Sequence, residues 1–276
     1  AFKKSPDVAV LKSGLNDFDK KVGGLHKSDL IIIAGRPSMG KTALAMNIGE
    51  YVSITQQLPV LFVSLEMSGI ELADRMLCSL ARVNGHRLRN GTISSDDRER
   101  LIRKANEISQ APLFVDDSPS RTVSEIAAAA RRIKRREGNL GLIVIDYLQL
   151  IEPDNSRDPR QEQVAKIARR LKGIARELEV PLLCLSQLNR QAEDSKDHRP
   201  RLSHLRESGA IEQDADVVMF VHREEYYHRG DERAQFAGQA EIIISKQRNG
   251  PIGDVELTWE ADFTRFSDRA PERHIR

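Results

Sequence analysis

Residues 35–42 read Gly-Arg-Pro-Ser-Met-Gly-Lys-Thr, a G-x-x-x-x-G-K-T spacing whose residue types suit one kind of chemistry. The glycines let backbone N–H groups turn inward around phosphate oxygens, at the positive end of the helix that follows. Lys41 can reach the β- and γ-phosphates of a nucleoside triphosphate, and the Thr42 hydroxyl can sit on Mg²⁺. Gly35, Arg36, Pro37, Ser38, Met39, Gly40, Lys41, Thr42 and Ala43 are therefore the candidate nucleotide-binding residues. The competing explanation is a glycine-rich turn that happens to carry a lysine. Context favours the phosphate cradle, because a buried strand, Leu30 to Ala34, precedes it and a helical run from Ala43 to about Tyr51 follows.

Three more polar residues end apolar runs. Asp146 closes Leu142-Ile143-Val144-Ile145, the pattern of an acid that holds Mg²⁺ through its water shell. A strand or helix cap is its bland alternative. Glu66 follows Pro59 to Leu65 and can orient a water or accept its proton; otherwise it is a helix-start acid favoured by the dipole. Its strand is expected beside the phosphate-loop strand. Gln187, after Leu-Cys-Leu-Ser, can sense a γ-phosphate with its amide, or is simply a polar strand end.

Lys246 and Arg248 project from the strand and turn that end in Asn249-Gly250. Basic residues at such a tip are usually solvated; the functional alternative is an arginine finger given to a neighbouring subunit's nucleotide. In Leu205-Arg206-Glu207-Ser208-Gly209, Arg206 can pair with a phosphate while Gly209 leaves backbone N–H groups free. An ordinary charged loop accounts for that spacing equally well. The basic cluster Arg131, Arg132, Lys134, Arg135, Arg136 reads as a solvated helix end. The seven histidines show no metal-ligand spacing.

The elements that must position these groups alternate. Capping boxes at Ser68/Glu71 and Thr122/Glu125 open helices, and Ile70, Ala73, Leu77 and Leu80 are expected on the core face of the first. A helix from about Asp96 to Ile108 should bury Leu101, Ala105 and Ile108. Val164, Ile167, Ala168, Leu171, Ile174, Ala175 and Leu178 make the clearest helical stripe. Short apolar runs at 112–115, 182–185, 217–221, 241–245 and 254–259 read as strands. Residues 189–216 form a long, polar connection, which inside a compact domain is either functional or disordered. The expectation is one α/β domain over 1–276, mostly parallel with helices on both faces and an antiparallel C-terminal extension. Residues 1–28 would be a lead-in segment and 267–276 a frayed tail. In such sheets the site lies at the carboxyl ends of the strands, which collects the cradle, Glu66, Asp146 and Gln187 in one place.

Length permits a substantial core, and 39% hydrophobic with 30% charged residues is ordinary for a globular chain. The net charge of +2 gives no global attraction for nucleic acid, so a binding surface must be local or shared among subunits. Cys78 and Cys184 read as core hydrophobes in a reducing compartment. No apolar run approaches membrane length, so a cytoplasmic protein without membrane contact is expected.

Several segments together resemble the C-terminal motor domain of DnaB-type replicative helicases, within the RecA-like P-loop superfamily. Beyond the phosphate loop they are Ser64-Leu65-Glu66-Met67-Ser68, Asp146-Tyr147-Leu148-Gln149-Leu150, Gln187-Leu188-Asn189-Arg190, Leu205 to Gly209, Gln213-Asp214-Ala215-Asp216, His222-Arg223-Glu224-Glu225-Tyr226-Tyr227 and Ser245-Lys246-Gln247-Arg248-Asn249-Gly250-Pro251. The resemblance implies a homohexameric ring that hydrolyses ATP with Mg²⁺ and moves 5′ to 3′ on single-stranded DNA. It implies that Glu66 activates water, Asp146 holds the metal and Gln187 senses the γ-phosphate. Lys246 and Arg248 would reach the neighbour's nucleotide, and Arg206, Glu207 and Gly209 would face DNA. Family members carry an N-terminal helical domain, expected to lie ahead of Ala1, through which primase and loader contacts would run. A RecA-like recombination or repair ATPase, and a ring ATPase acting on protein, are the alternatives.

Overall fold

The computed structural model describes residues 10–189, 198–205 and 208–270. Its centre is β1 (Leu30–Gly35), six buried residues between β5 (Leu182–Gln187) and β6 (Val217–His222), both parallel to it. A strand covered on both faces must be apolar on both, which is why this run does not alternate. Beyond β5 come β4 (Leu142–Asp146), β2 (Val60–Ser64) and β3 (Leu113–Asp116), all parallel. Beyond β6 the sheet turns antiparallel through β7 (Gln239–Gln247), β8 (Gly253–Glu260) and β9 (Arg265–Asp268).

Two cores cover the faces. Leu30, Ile32 and Ala34 pack with α6 (Val123–Glu137), α7 (Arg160–Leu178) and, through Ile211 and Ala215, with α8 (Ser208–Asp214) and its C-terminal edge. Ile31 and Ile33 pack with α1 (Asn16–Val22), α2 (Lys41–Glu50) and α3 (Gly69–Ala81). All seven residues of the expected stripe on α7 are buried. Two short helices, α4 (Gly85–Arg89) and α9 (Gly230–Gln235), and the longer α5 (Ser95–Gln110) complete the set among the described residues.

Four expectations change. β2 does not adjoin β1, because β4 and β5 stand between them. On α3 the buried face is Leu72, Met76, Cys78 and Ala81, while Ile70 is 77% exposed and Ala73 is exposed too. Of the expected stripe, Leu77 and Leu80 are half-buried against the cores, so the inward face is rotated toward Leu72 and Met76 by packing against α2 and α5 rather than replaced. On α5 only Leu101 of the apolar set is fully buried, and Ala105 faces out. Finally, Ser267 and Asp268 are not frayed: they pair with Thr258 and Leu257 in β9. The Asp268 carboxylate accepts from Asn16 N at 3.0 Å and Asn16 Nδ2 at 2.8 Å, tying α1 to that strand. A four-residue strand with one apolar side chain carries no sequence signal of its own.

Candidate nucleotide site

The loop between β1 and α2 closes on itself. Gly40 has φ +98°, a left-handed conformation that costs a side chain dearly, and a Cβ there would stand 2.9 Å from the Phe266 ring. Lys41 folds back so that Nζ donates to the carbonyls of Gly35 (3.0 Å) and Arg36 (3.1 Å). Burial pushes its pKa down to about 8; the Asp146 and Glu66 carboxylates pull it back and Arg36 pushes it further down. It is thus a cation held with incomplete solvation, and phosphate oxygens would complete it.

Thr42 Oγ1 donates to Asp146 Oδ2 at 2.7 Å. Asp146 is 1% exposed, and burial raises its pKa against the Thr42 hydrogen bond, with Glu66 raising it further. A buried carboxylate whose charge is this poorly compensated suits a divalent cation. Among the described residues no three His, Cys, Asp or Glu side chains gather into a metal cage. Two hard oxygens, with the remaining positions left to water and phosphate, is the donor set Mg²⁺ prefers.

Glu66, Arg75, Tyr147, Gln187, Trp259 and Thr264 line the same cleft of about 360 Å³ together with Pro37, Ser38 and residues 40–43. Gln187 is braced from behind: its N–H donates to Gln149 Oε1 at 3.3 Å, and Gln149 Nε2 donates to Ser186 Oγ at 3.0 Å. The other members of the candidate set act through the backbone or elsewhere. Met39 is buried in the core and its N–H turns to the Arg36 carbonyl at 3.4 Å. Arg36 donates to the Leu188 carbonyl at 3.2 Å.

Arg223 supports the loop from below. Its guanidinium lies 4.4 Å from the Trp259 ring, donates to the Ser38 carbonyl at 3.1 Å and pairs with Glu225. Arg75 sits two turns into the helix that Glu66 introduces, a position legible from the pattern but not singled out. Arg223 lies within one of the family-like segments but with no role attached, and Trp259 and Thr264 offered no signal, being more than 200 residues from the loop they serve.

Lys246 and Arg248 lie apart from this cleft. Because β7 is antiparallel to β6, its last residues pair with Val218 and Val217, at the amino-terminal edge of the parallel strands. The pair cannot serve its own cradle. Gly209 is exposed in the first turn of α8; Arg206 and Glu207 lie outside the described residues. Of the basic cluster on α6, Arg131 forms a two-bond pair with Glu177 and Arg136 stacks 4.7 Å from the Phe114 ring.

Comparison with known proteins gives a consistent set of matches. The sequence model described as the DnaB-like helicase C terminal domain matches residues 10–268. Replicative DNA helicase DnaB of Buchnera aphidicola (strain Bp) is 46% identical over 97% of this chain and 57% of its own length. Replicative DNA helicase DnaB of Geobacillus stearothermophilus is 45% identical over 94% of this chain and 57% of its own. Among solved structures, the ATPase domain of G40P superposes with a TM-score of 0.90 at 35% identity, covering 96% of this chain and 93% of that one. A DnaB-like replicative helicase described with its interactions with primase gives a TM-score of 0.91 at 35% identity, covering 96% of this chain and 63% of that one. The chain thus spans a little over half the length of the curated relatives.

Proposed function

The chain belongs to the DnaB-like helicase C-terminal domain family, and from that premise we propose that it is the motor of an ATP-driven replicative DNA helicase. The motor works as a homohexameric ring that moves 5′ to 3′ along single-stranded DNA in the cytoplasm. The observation that carries this is the separation of two half-sites: a complete phosphate cradle at one edge of the sheet and the basic pair Lys246 and Arg248 at the other. A finger so placed can meet a triphosphate only on a second copy of the chain.

In this reading the backbone of residues 35–43 and Lys41 hold the phosphates, while Thr42 and Asp146 would hold Mg²⁺, which would supply charge compensation to the phosphates. Glu66 takes the proton of the attacking water. Gln187 reads the γ-phosphate, and Leu188 next to it is bridged to Leu205, at the start of the segment proposed to face DNA with Arg206, Glu207 and Gly209. Lys246 and Arg248 stabilise charge on the neighbour's leaving phosphate, a contribution worth ~10³–10⁵ in turnover for such fingers. Primase and loader contacts would run through an N-terminal domain of the kind family members carry.

Arg248→Ala in the full-length protein should bind a fluorescent ATP analogue normally and lose DNA-stimulated hydrolysis; normal turnover would remove the trans-finger role. Electron microscopy with an ATP analogue and a single-stranded oligonucleotide should show closed rings. Extended filaments instead would favour a recombination-type ATPase.

A further inference from the structure

The basic pair is not loose at its hairpin tip. Between the Met219–Ile244 and Val218–Lys246 pairs the register of β7 against β6 skips Ser245. Because a one-residue slip flips a strand's side chains, this bulge turns Lys246 to the face that α8 covers. There Lys246 Nζ donates to the Glu212 carbonyl and, at 2.7 Å, to that of Ala215. Arg248 Nη2 donates to the Gln213 carbonyl at 3.3 Å, and Nη1 lies 3.3 Å from Asp216 Oδ1. Both cations therefore satisfy carbonyls of the last turn of α8, which lack partners within the helix and sit at its negative end.

Asp216 anchors the arrangement. It is 4% exposed and receives Leu30 N–H at 2.8 Å, the Lys172 ammonium and the Arg248 guanidinium, while its carbonyl accepts from Arg248 N at 2.8 Å. Lys172 also donates to the Ser28 carbonyl at 2.6 Å, so the anchor is itself tied to α7 and to the start of β1. Resting on the trans-finger reading above, we propose that Asp216 is a positioning residue that locks Arg248 to the C-terminal turn of α8. Gly209 opens the same short helix, so DNA engaged there and the pair reaching for the neighbour's nucleotide move as one body.

The test uses the full-length protein and three readouts: DNA-stimulated phosphate release, KM for ATP and the salt-dependent affinity for single-stranded DNA. Asp216→Asn should lower stimulated turnover about tenfold or more, part of what losing a finger costs, with KM and DNA affinity within about twofold. The double variant with Arg248→Ala should be no slower than Arg248→Ala alone, since residues acting through one another are not additive. Gln213→Gly leaves every proposed charged group in place but loosens the last turn of α8 at an exposed position, and should lower stimulation in the same direction. It carries the test alone if Asp216→Asn does not fold. Unchanged stimulation in either folded variant, or a double variant slowed by the product of the singles, overturns the proposal. If Arg248→Ala itself keeps its stimulation, the trans-finger reading fails first.

Discussion

Glu66 and Asp146 are both carboxylates at strand ends, yet their surroundings separate their roles. Asp146 is sealed beneath Thr42, where a metal can compensate its charge, whereas Glu66 stands exposed at the cleft rim with access to water. Glu66→Gln should therefore retain nucleotide affinity while hydrolysis falls ~10²–10⁴-fold, the usual worth of a general base. Fluorescent-analogue binding alongside phosphate release checks this, and a parallel loss of both would reassign Glu66 to binding. The identities of both acids were legible because each ends an apolar run. That Gln187 is braced by Gln149 was not, since their contact depends on how the turn after β4 folds against β5.

At the scale of elements, the phosphate loop is shaped as much by β8 and β9 as by its own glycines. Phe266 and Trp259 pack together with ring centroids 4.7 Å apart, directly against Gly40. Gly40→Ala combines a left-handed φ with that crowding, which should cost about 1–3 kcal/mol of strain and abolish nucleotide binding. Calorimetric titration with an ATP analogue would show wild-type affinity if this packing were unimportant. β9 is also bolted to α2 and α3 from within: Arg265 Nη1 donates to Glu50 Oε2 of α2 at 2.8 Å and to Ser79 Oγ of α3 at 2.9 Å, and Phe266 N donates to Asn47 Oδ1 of α2 at 2.9 Å.

Glu50 is 1% exposed, and burial raises its pKa to about 7 despite Arg265, with Oε1 lacking a partner. A carboxyl whose folded pKa is raised binds more protons folded than unfolded, so the stability it confers is present at low pH and lost as pH rises to about 7. Glu50→Gln should flatten that part of the profile. Melting temperatures of the two proteins between pH 5 and 8 would run parallel if Glu50 did not titrate there.

For the whole molecule, net charge is +2, so strong attraction for a polyanion needs either a local patch or repetition of one surface among subunits, as in the proposed ring. In the proposed ring, the two half-sites at opposite ends of the strands would make each interface a composite. Lys41→Ala subunits retain the hairpin pair and Arg248→Ala subunits retain the cradle. Mixed in equal amounts, about a quarter of head-to-tail interfaces would unite an intact cradle with an intact pair. Mixed assemblies should thus hydrolyse more ATP than the sum of the two inactive parents. A mixture no more active than its parents would mean that each subunit completes its own site.

Local order in this protein is written in local patterns. The phosphate loop, the acids at strand ends, the capping boxes at Ser68 and Thr122 and the stripe on α7 all follow from residues within a few turns of one another. Strand order, the rotation of the buried face on α3, the capture of β9 and the bulge that aims Lys246 depended on which distant surfaces bury each other best. Those outcomes are energies of packing between segments far apart in the chain, and only the folded molecule evaluates them.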